Sequence, residues 1–231
     1  MKVIIVGGGI MGLSVAWALA GRGHAPVVLE QGEVPNPMGS SVDRHRLIRY
    51  TYGALHGYAA MVREAYAAWE RLWADLGHVH YVETGQLLIG PADDPWLAGS
   101  CRSLAMLGLP YETVDASLAA RFPMLATERL GHAVWTPSGG VLLAERIVAD
   151  LARWLRERGH PPRTGCRVTA IDPERAAVRL ADGDTVEGDA VLVAAGPWVG
   201  RLVPEVAERA VPSRQVVIYV QPPPELAAAW R

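Results

Sequence analysis

Three glycines in the spacing Gly7-x-Gly9-x-x-Gly12, followed by Glu30, are the residues of this chain best suited to holding a nucleotide. Gly7 permits a tight strand-to-helix turn, Gly9 lets the backbone come close to a pyrophosphate, and Gly12 lets a helix pack on the preceding strand. Free N–H groups at the start of that helix face the phosphate charge. The setting agrees with this reading. Val3-Ile4-Ile5-Val6 is an apolar strand, Leu13 to Leu19 reads as a helix, and Pro26-Val27-Val28-Leu29 reads as a second strand ending in Glu30. Glu30 lies 30 − 12 = 18 residues beyond Gly12, close to the ~20 expected for a carboxylate that grips ribose hydroxyls. The same carboxylate would repel a 2′-phosphate, so the site suits an adenosine cofactor without one. A glycine-rich turn in an ordinary α/β protein is the bland alternative, and the strand, the spacing and the acid together outweigh it.

A second group of chemical interest is basic. Asp43 to Arg49 contains Arg44, His45, Arg46 and Arg49. Such clusters are commonly solvated faces or structural ion-pair groups. His78, His80, His132 and His160 have spacings that suit surface or structural roles and form no metal site. Cys101 and Cys166 form no metal or redox motif, and nothing suggests a disulfide framework, so a reducing cytoplasm is expected.

The elements that must position these residues can be read from periodicity. A chain of 231 residues, 50% apolar and 20% charged, is globular and holds one large or two small domains. Its net charge of −2 gives no support for binding nucleic acid or an anionic membrane. Val3 to Gly21 is uncharged, but its glycines argue against a continuous membrane or signal helix. A turn-rich loop runs from Gly32 to Gly39. Leu55, Tyr58, Val62, Ala65, Trp69, Leu72 and Leu76 then recur at helical steps, and Gly77 ends the helix.

Further along, Tyr81–Ile89 reads as one strand, followed by a weaker helix through Leu107. Residues 110–140 read as irregular, with a short helix at Ala116–Arg121. A clear helix follows from Ala144 to Arg158, with Ile147, Val148, Leu151, Trp154 and Leu155 as its buried stripe. Strands are expected at Arg167–Ile171, Ala177–Leu180, Thr185–Val186, Ala190–Ala195 and Gln215–Val220, with Ala181–Asp184 as a hairpin turn. The order β-α-β, an intervening segment, then α-β-hairpin-β suggests a parallel nucleotide-binding sheet interrupted by a second substructure.

Three stretches carry a family resemblance: Val6-Gly-Gly-Gly-Ile-Met-Gly12 with Leu29-Glu30-Gln31; Gly39-Ser-Ser-Val-Asp-Arg-His-Arg-Leu-Ile-Arg-Tyr-Thr-Tyr-Gly53; and Val191-Leu-Val-Ala-Ala-Gly-Pro-Trp198. On these the chain resembles the FAD-dependent amino-acid oxidases of the D-amino-acid oxidase superfamily, most closely the monomeric sarcosine oxidase and N-methyl-amino-acid oxidase branch. The resemblance implies a Rossmann-like FAD-binding α/β domain of the GR2 type, at 1–80 and 141–208. An inserted, incomplete α+β substrate domain would occupy 81–140 and 209–231. It implies that Gly7, Gly9 and Gly12 hold the pyrophosphate and Glu30 the adenosine ribose, with Ile10, Met11 and Gln31 also binding the cofactor. Ser40, Ser41, His45, Arg46 and Leu47 would line the flavin, Val168 the adenine end, and Ala195 and Gly196 would pass close to the cofactor. Arg46 would lie over the flavin, and Arg49 would pair with the carboxylate of an amino-acid substrate. Spacing i and i+3 on a helical turn would put Arg46 and Arg49 on one side.

The activity implied is oxidation of the C–N bond of a primary or secondary (N-methyl) amino acid to an imine, with oxygen as acceptor and hydrogen peroxide as product. Members of the family continue beyond the equivalent of Arg231. The further part would finish the substrate-domain sheet, return to the flavin and carry the lysines used on oxygen and substrate. The lone lysine here is Lys2. Three readings stay open: a fragment, one piece of a split enzyme, or a shortened homologue that has lost catalysis. The alternative function is a non-catalytic FAD- or ADP-binding module that works through a partner chain. Unpaired strand edges predict poor solubility or association of the isolated chain, with a complementary C-terminal chain or with itself.

Overall fold

The computed structural model describes residues 1–114, 118–126, 131–213 and 215–228. In chain order the elements of the first half are β1 (Lys2–Val6), α1 (Ile10–Ala20), β2 (Ala25–Leu29), β3 (Arg46–Arg49), α2 (His56–Leu76), β4 (Tyr81–Glu83), β5 (Gln86–Gly90), α3 (Pro95–Met106) and β6 (Glu112–Val114). They are followed by α4 (Leu118–Arg121), β7 (His132–Thr136), β8 (Gly139–Leu142), α5 (Ala144–Glu157), β9 (Val168–Asp172), β10 (Ala177–Leu180), β11 (Thr185–Glu187), β12 (Ala190–Val193), α6 (Val199–Leu202) and α7 (Pro204–Ala207). The chain divides into two units. One comprises Met1–Arg46, Trp73–His80 and Leu143–Arg214; the other comprises Leu47–Leu72, Tyr81–Leu142 and Gln215–Arg231.

In the first unit β1 is the central strand of a parallel sheet ordered β12-β1-β2. Val3 to Val6 pair with Ala190 to Val193 on one side, and Lys2 to Val6 with Ala25 to Leu29 on the other. Both faces of β1 are covered, which explains why it reads as an unbroken apolar run. Ile4 and Val6 pack with Leu29, Val178 and Leu180, joining this sheet to the antiparallel sheet β11-β10-β9. Ile5 faces the opposite way, toward α1 near Gly12. Helix α5 lies alongside α1. Its stripe Ile147, Val148, Leu151, Trp154 and Leu155 is buried as the periodicity predicts, and Gly159, at φ +82°, ends it.

The second unit contains two antiparallel sheets, β3-β8-β4 and β5-β7-β6. Several sequence expectations fail here. The single strand Tyr81–Ile89 is two strands in different sheets, broken at Thr84-Gly85, where Gly85 takes φ +65° under the Trp135 ring. The region expected to be irregular supplies β6, β7 and β8. Their sequences alternate only weakly, and pairing rather than local propensity makes them strands. Of the short helix expected at Ala116–Arg121, α4 accounts for Leu118–Arg121, and Ala116 and Ser117 lie outside the described residues.

Arg46 to Arg49 form strand β3 and not a helical turn. Successive side chains of a strand alternate between faces, so Arg46 and Arg49 do not share a side. Gln215–Val220 is not a strand; it has no regular structure, and Val216, Ile218 and Val220 are exposed. A β-rich sequence without a neighbouring strand has no ladder to join.

Candidate functional site

Because β12, β1 and β2 are parallel, their C-terminal ends meet at one edge of the sheet, where ligands of open α/β sheets bind. The glycine loop lies there. The Gly7 N–H donates to Leu29 O at 2.8 Å, and Gly7 takes φ +114°, with Ala194 O 2.3 Å from where a Cβ would stand. A Cβ on Gly12 would meet Gly7 O at 2.0 Å. Strand, loop and helix therefore touch backbone to backbone, and no side chain fits at either position. Helix α1 starts at Ile10, three residues before the expected Leu13.

The N-terminus of α1 has no capping side chain of its own. Ser41 supplies one from the following loop, its Oγ accepting from the Ile10 N–H at 3.0 Å. Leu13 N–H makes the first intrahelical bond, to Gly9 O. Among the described residues, the Met11 and Gly12 N–H groups have no protein acceptor. These are the orphan donors that a helix N-terminus offers to an anion, together with about half a positive charge from the helix dipole.

Glu30 is buried. Its Oε2 accepts from Gly8 N–H at 2.7 Å, and its Oε1 from Gly32 N–H at 3.0 Å and Asn36 Nδ2 at 2.9 Å. A carboxylate has about four acceptor positions. Three are filled here, so Glu30 fixes the loops around it and keeps acceptor capacity on Oε2 for a hydroxyl. Asn36 was not anticipated. Its Oδ1 also accepts from Met38 N–H at 2.9 Å, an Asx turn for which Pro35-Asn36-Pro37 was the available signal.

A cavity of about 780 Å³ opens along this edge, within the roughly 300–1,000 Å³ of small-molecule sites. Gly7, Gly9, Ile10 and Met11 form one part of its wall, Glu30, Gln31, Ser40 and Ser41 another. Val168, Ala195 and Gly196 complete the set of expected residues brought together there. Gly12 lies behind the loop as a packing residue. Arg167 and Arg201 also line the cavity and were not anticipated as site residues; single arginines at the edge of a strand or in a one-turn helix give no motif signal.

His45 and Arg46 do not line the cavity. Arg46 is tied into its own loop. It pairs with Asp43 at 2.6 Å and donates to the carbonyls of Ser40 at 2.8 Å, Val42 at 3.0 Å and His45 at 3.0 Å. It thus braces Ser40–Val42, a stretch of the cavity wall.

Leu47 and Arg49 belong to the second unit. Leu47 is exposed. The Arg49 guanidinium lies 4.9 Å from the Tyr52 ring centroid and 5.7 Å from that of Trp96. Aromatic faces on a guanidinium hold its plane while leaving its N–H edge available. No carboxylate pairs with it among the described residues.

A glycine turn at the C-terminal edge of a parallel sheet, an acid at the end of the second strand and a cavity lined by both define a dinucleotide-binding α/β unit. Comparison with known proteins makes this specific. The profile of the family described as FAD dependent oxidoreductase (DAO) matches residues 2–231, and the chain belongs to that family. The family is FAD dependent, and the cradle fits that cofactor: backbone glycines and two orphan N–H groups for the diphosphate, and Glu30 for the ribose.

N-methyl-L-tryptophan oxidase of Citrobacter koseri is 30% identical over 222 residues, which cover 95% of this chain and 59% of that protein. The protein of the same name from Yersinia pestis is 28% identical over 204 residues, covering 87% and 55%. The chain therefore spans just over half the length of these relatives. Among solved structures, NikD, an unusual amino acid oxidase essential for nikkomycin biosynthesis, has a TM-score of 0.78 at 27% identity, covering 89% of this chain and 53% of that one. Glycine oxidase from Geobacillus kaustophilus has a TM-score of 0.74 at 24% identity, covering 89% and 58%, and agrees in fold.

Proposed function

We propose that this chain binds FAD and serves the oxidation of a primary or secondary (N-methyl) amino acid. The observation that carries the reading is the glycine–Glu30 cradle in a chain of the FAD dependent oxidoreductase family. The names of the relatives support an amino-acid substrate.

Residues of 1–80 and 141–208 are assigned to the cofactor, those of 81–140 and 209–231 to the substrate side. Gly7, Gly9 and Gly12 would hold the diphosphate and Glu30 the ribose, with Ile10, Met11 and Gln31 lining the cofactor. Ser40, Ser41, His45, Arg46 and Leu47 would serve the flavin, Val168 the adenine, and Ala195 and Gly196 the cofactor's near edge. FAD held there would supply the two-electron acceptor for oxidising the substrate C–N bond to an imine, with oxygen as the final acceptor and hydrogen peroxide as the product. Arg46 acts by holding the Ser40–Val42 loop in place. Arg49, held by Tyr52 and Trp96, would grip the substrate carboxylate through its N–H edge and fix the α-carbon.

No helix among the described residues is long and apolar enough to cross a membrane. The free thiols of Cys101 and Cys166 fit a reducing compartment, the cytoplasm. The exposed Val216, Ile218 and Val220 favour association with a complementary chain or with a second copy.

The test is anaerobic mixing of the FAD-loaded protein, alone and joined to a chain completing the relatives' length, with N-methyl-L-tryptophan, sarcosine and glycine. Bleaching of the flavin absorbance with at least one of them is expected. A bound flavin that stays oxidised in both forms would overturn the oxidase reading and leave a binding module.

A further inference from the structure

We propose that Arg201 is the counter-cation of the cofactor's diphosphate and that Arg167 serves the adenosine end of the same cavity; this rests on the FAD reading above. Three charged residues line the cavity: Glu30, Arg167 and Arg201. Glu30 is engaged by Gly8, Gly32 and Asn36. Both arginines are exposed, and among the described residues neither guanidinium makes an ion pair or hydrogen bond with protein. A dinucleotide brings about two negative charges to the loop. The N-terminus of α1 answers with about half a charge and the Met11 and Gly12 N–H groups, while buried Glu30 adds repulsion. A neighbouring cation is needed, and the cavity wall offers two.

Their places in the fold divide the work. Strand β12 ends against the glycine loop, where the Ala194 N–H donates to Val6 O at 2.8 Å. The chain then turns through Gly196–Trp198 straight into α6, which carries Arg201. Arg201 is thus on the element that leaves directly from the diphosphate position. Arg167 follows Cys166, whose N–H donates to Glu30 O at 2.8 Å, and it precedes β9. That places it beside the residue assigned to the ribose. A guanidinium binds phosphate oxygens bidentately at the first position and can stack on a base at the second.

The experiment titrates the chain and its R201Q, R201K and R167Q variants with FAD, ADP and adenosine, following flavin fluorescence or heat, with thermal melts to confirm folding. R201Q is expected to weaken FAD and ADP about tenfold or more while adenosine binding holds, and R201K, which keeps the charge and loses the bidentate fork, to recover part of the loss. R167Q is expected to weaken adenosine along with ADP. The unaltered chain gives a measurement that needs no variant: raising ionic strength should weaken ADP and spare adenosine. An R201Q chain that binds ADP as before, or loses adenosine equally, overturns the assignment while leaving FAD binding intact. Failure of the unaltered chain to bind either FAD or ADP overturns the FAD reading, and this inference with it.

Discussion

The glycine loop at residues 7–12 and the arginine segment at residues 43–49 were both marked by sequence, and they teach different things. The loop works through its backbone. What matters there is the absence of side chains at fixed spacing: Gly7 O sits 2.0 Å from where a Cβ on Gly12 would stand, a contact between residues five apart in the chain. The arginine segment works through long side chains whose partners depend on pairing with distant chain. A helical turn and a strand put Arg46 and Arg49 in different relations, and pairing within the β3-β8-β4 sheet makes the segment a strand. Backbone sites are written locally; side-chain sites are written by the fold.

The sharpest way to break the comparison is Gly12→Ala. The added methyl overlaps backbone and not a movable side chain, so a loss of about 3 kcal/mol or more is expected in denaturant unfolding, together with loss of FAD retention. Leu151→Ala, in the fully buried stripe of α5, should cost roughly 2–5 kcal/mol by the same measurement and leave cofactor affinity nearly unchanged where folding persists. Comparable stability with Gly12→Ala would mean the loop is more pliable than its contacts require.

Glu30→Gln removes the charge from three hydrogen bonds and turns an amide toward donors. A loss of about 1.5–3 kcal/mol in stability is expected, with weaker binding of both FAD and ADP. Arg46→Ala frees the Ser40–Val42 carbonyls. Arg46 is exposed where it pairs with Asp43, so the stability change should stay within about 1 kcal/mol, the main effect being faster proteolysis at residues 40–46. For the second unit, Arg49→Ala in a chain completed to the relatives' length should raise KM for the amino acid by an order of magnitude while flavin stays bound. An unchanged KM would remove Arg49 from carboxylate binding.

The smallest expected effect concerns acid stability. Burial raises the Asp150 carboxyl, but hydrogen bonds from His80 and Arg153 outweigh it and hold the group below the usual range. A depressed folded value means that the stabilisation is present above the carboxylate range and is lost as pH falls through the lowered value. Asp150 is partly buried but its partner Arg153 is exposed, so the contribution is about 1 kcal/mol. Denaturation midpoints of the chain and of Asp150→Asn should therefore differ near neutrality and converge at the acid end.

The strand, turn, helix and acid of the first unit were legible because glycine spacing and apolar periodicity are local. The hairpin at Ala181–Asp184 was legible for the same reason. The bond from Ile10 N–H to Ser41 was not, since it joins residues 31 apart. Nor was the break at Gly85, where Leu87 and Leu88 on one side resemble Tyr81 and Val82 on the other, and only sheet pairing separates them. Arg201 carried no signal at all, because a lone cation after Gly-Pro-Trp has no period to join.

The central claim is that residues 7–12 and Glu30 hold the adenosine diphosphate half of FAD. Calorimetric titration of the unaltered chain with FAD, ADP and FMN tests it most directly. The account predicts saturable one-to-one binding of FAD and ADP, with ADP displacing FAD and FMN failing to compete. Binding of FMN in preference to ADP, or no binding of FAD, would contradict it.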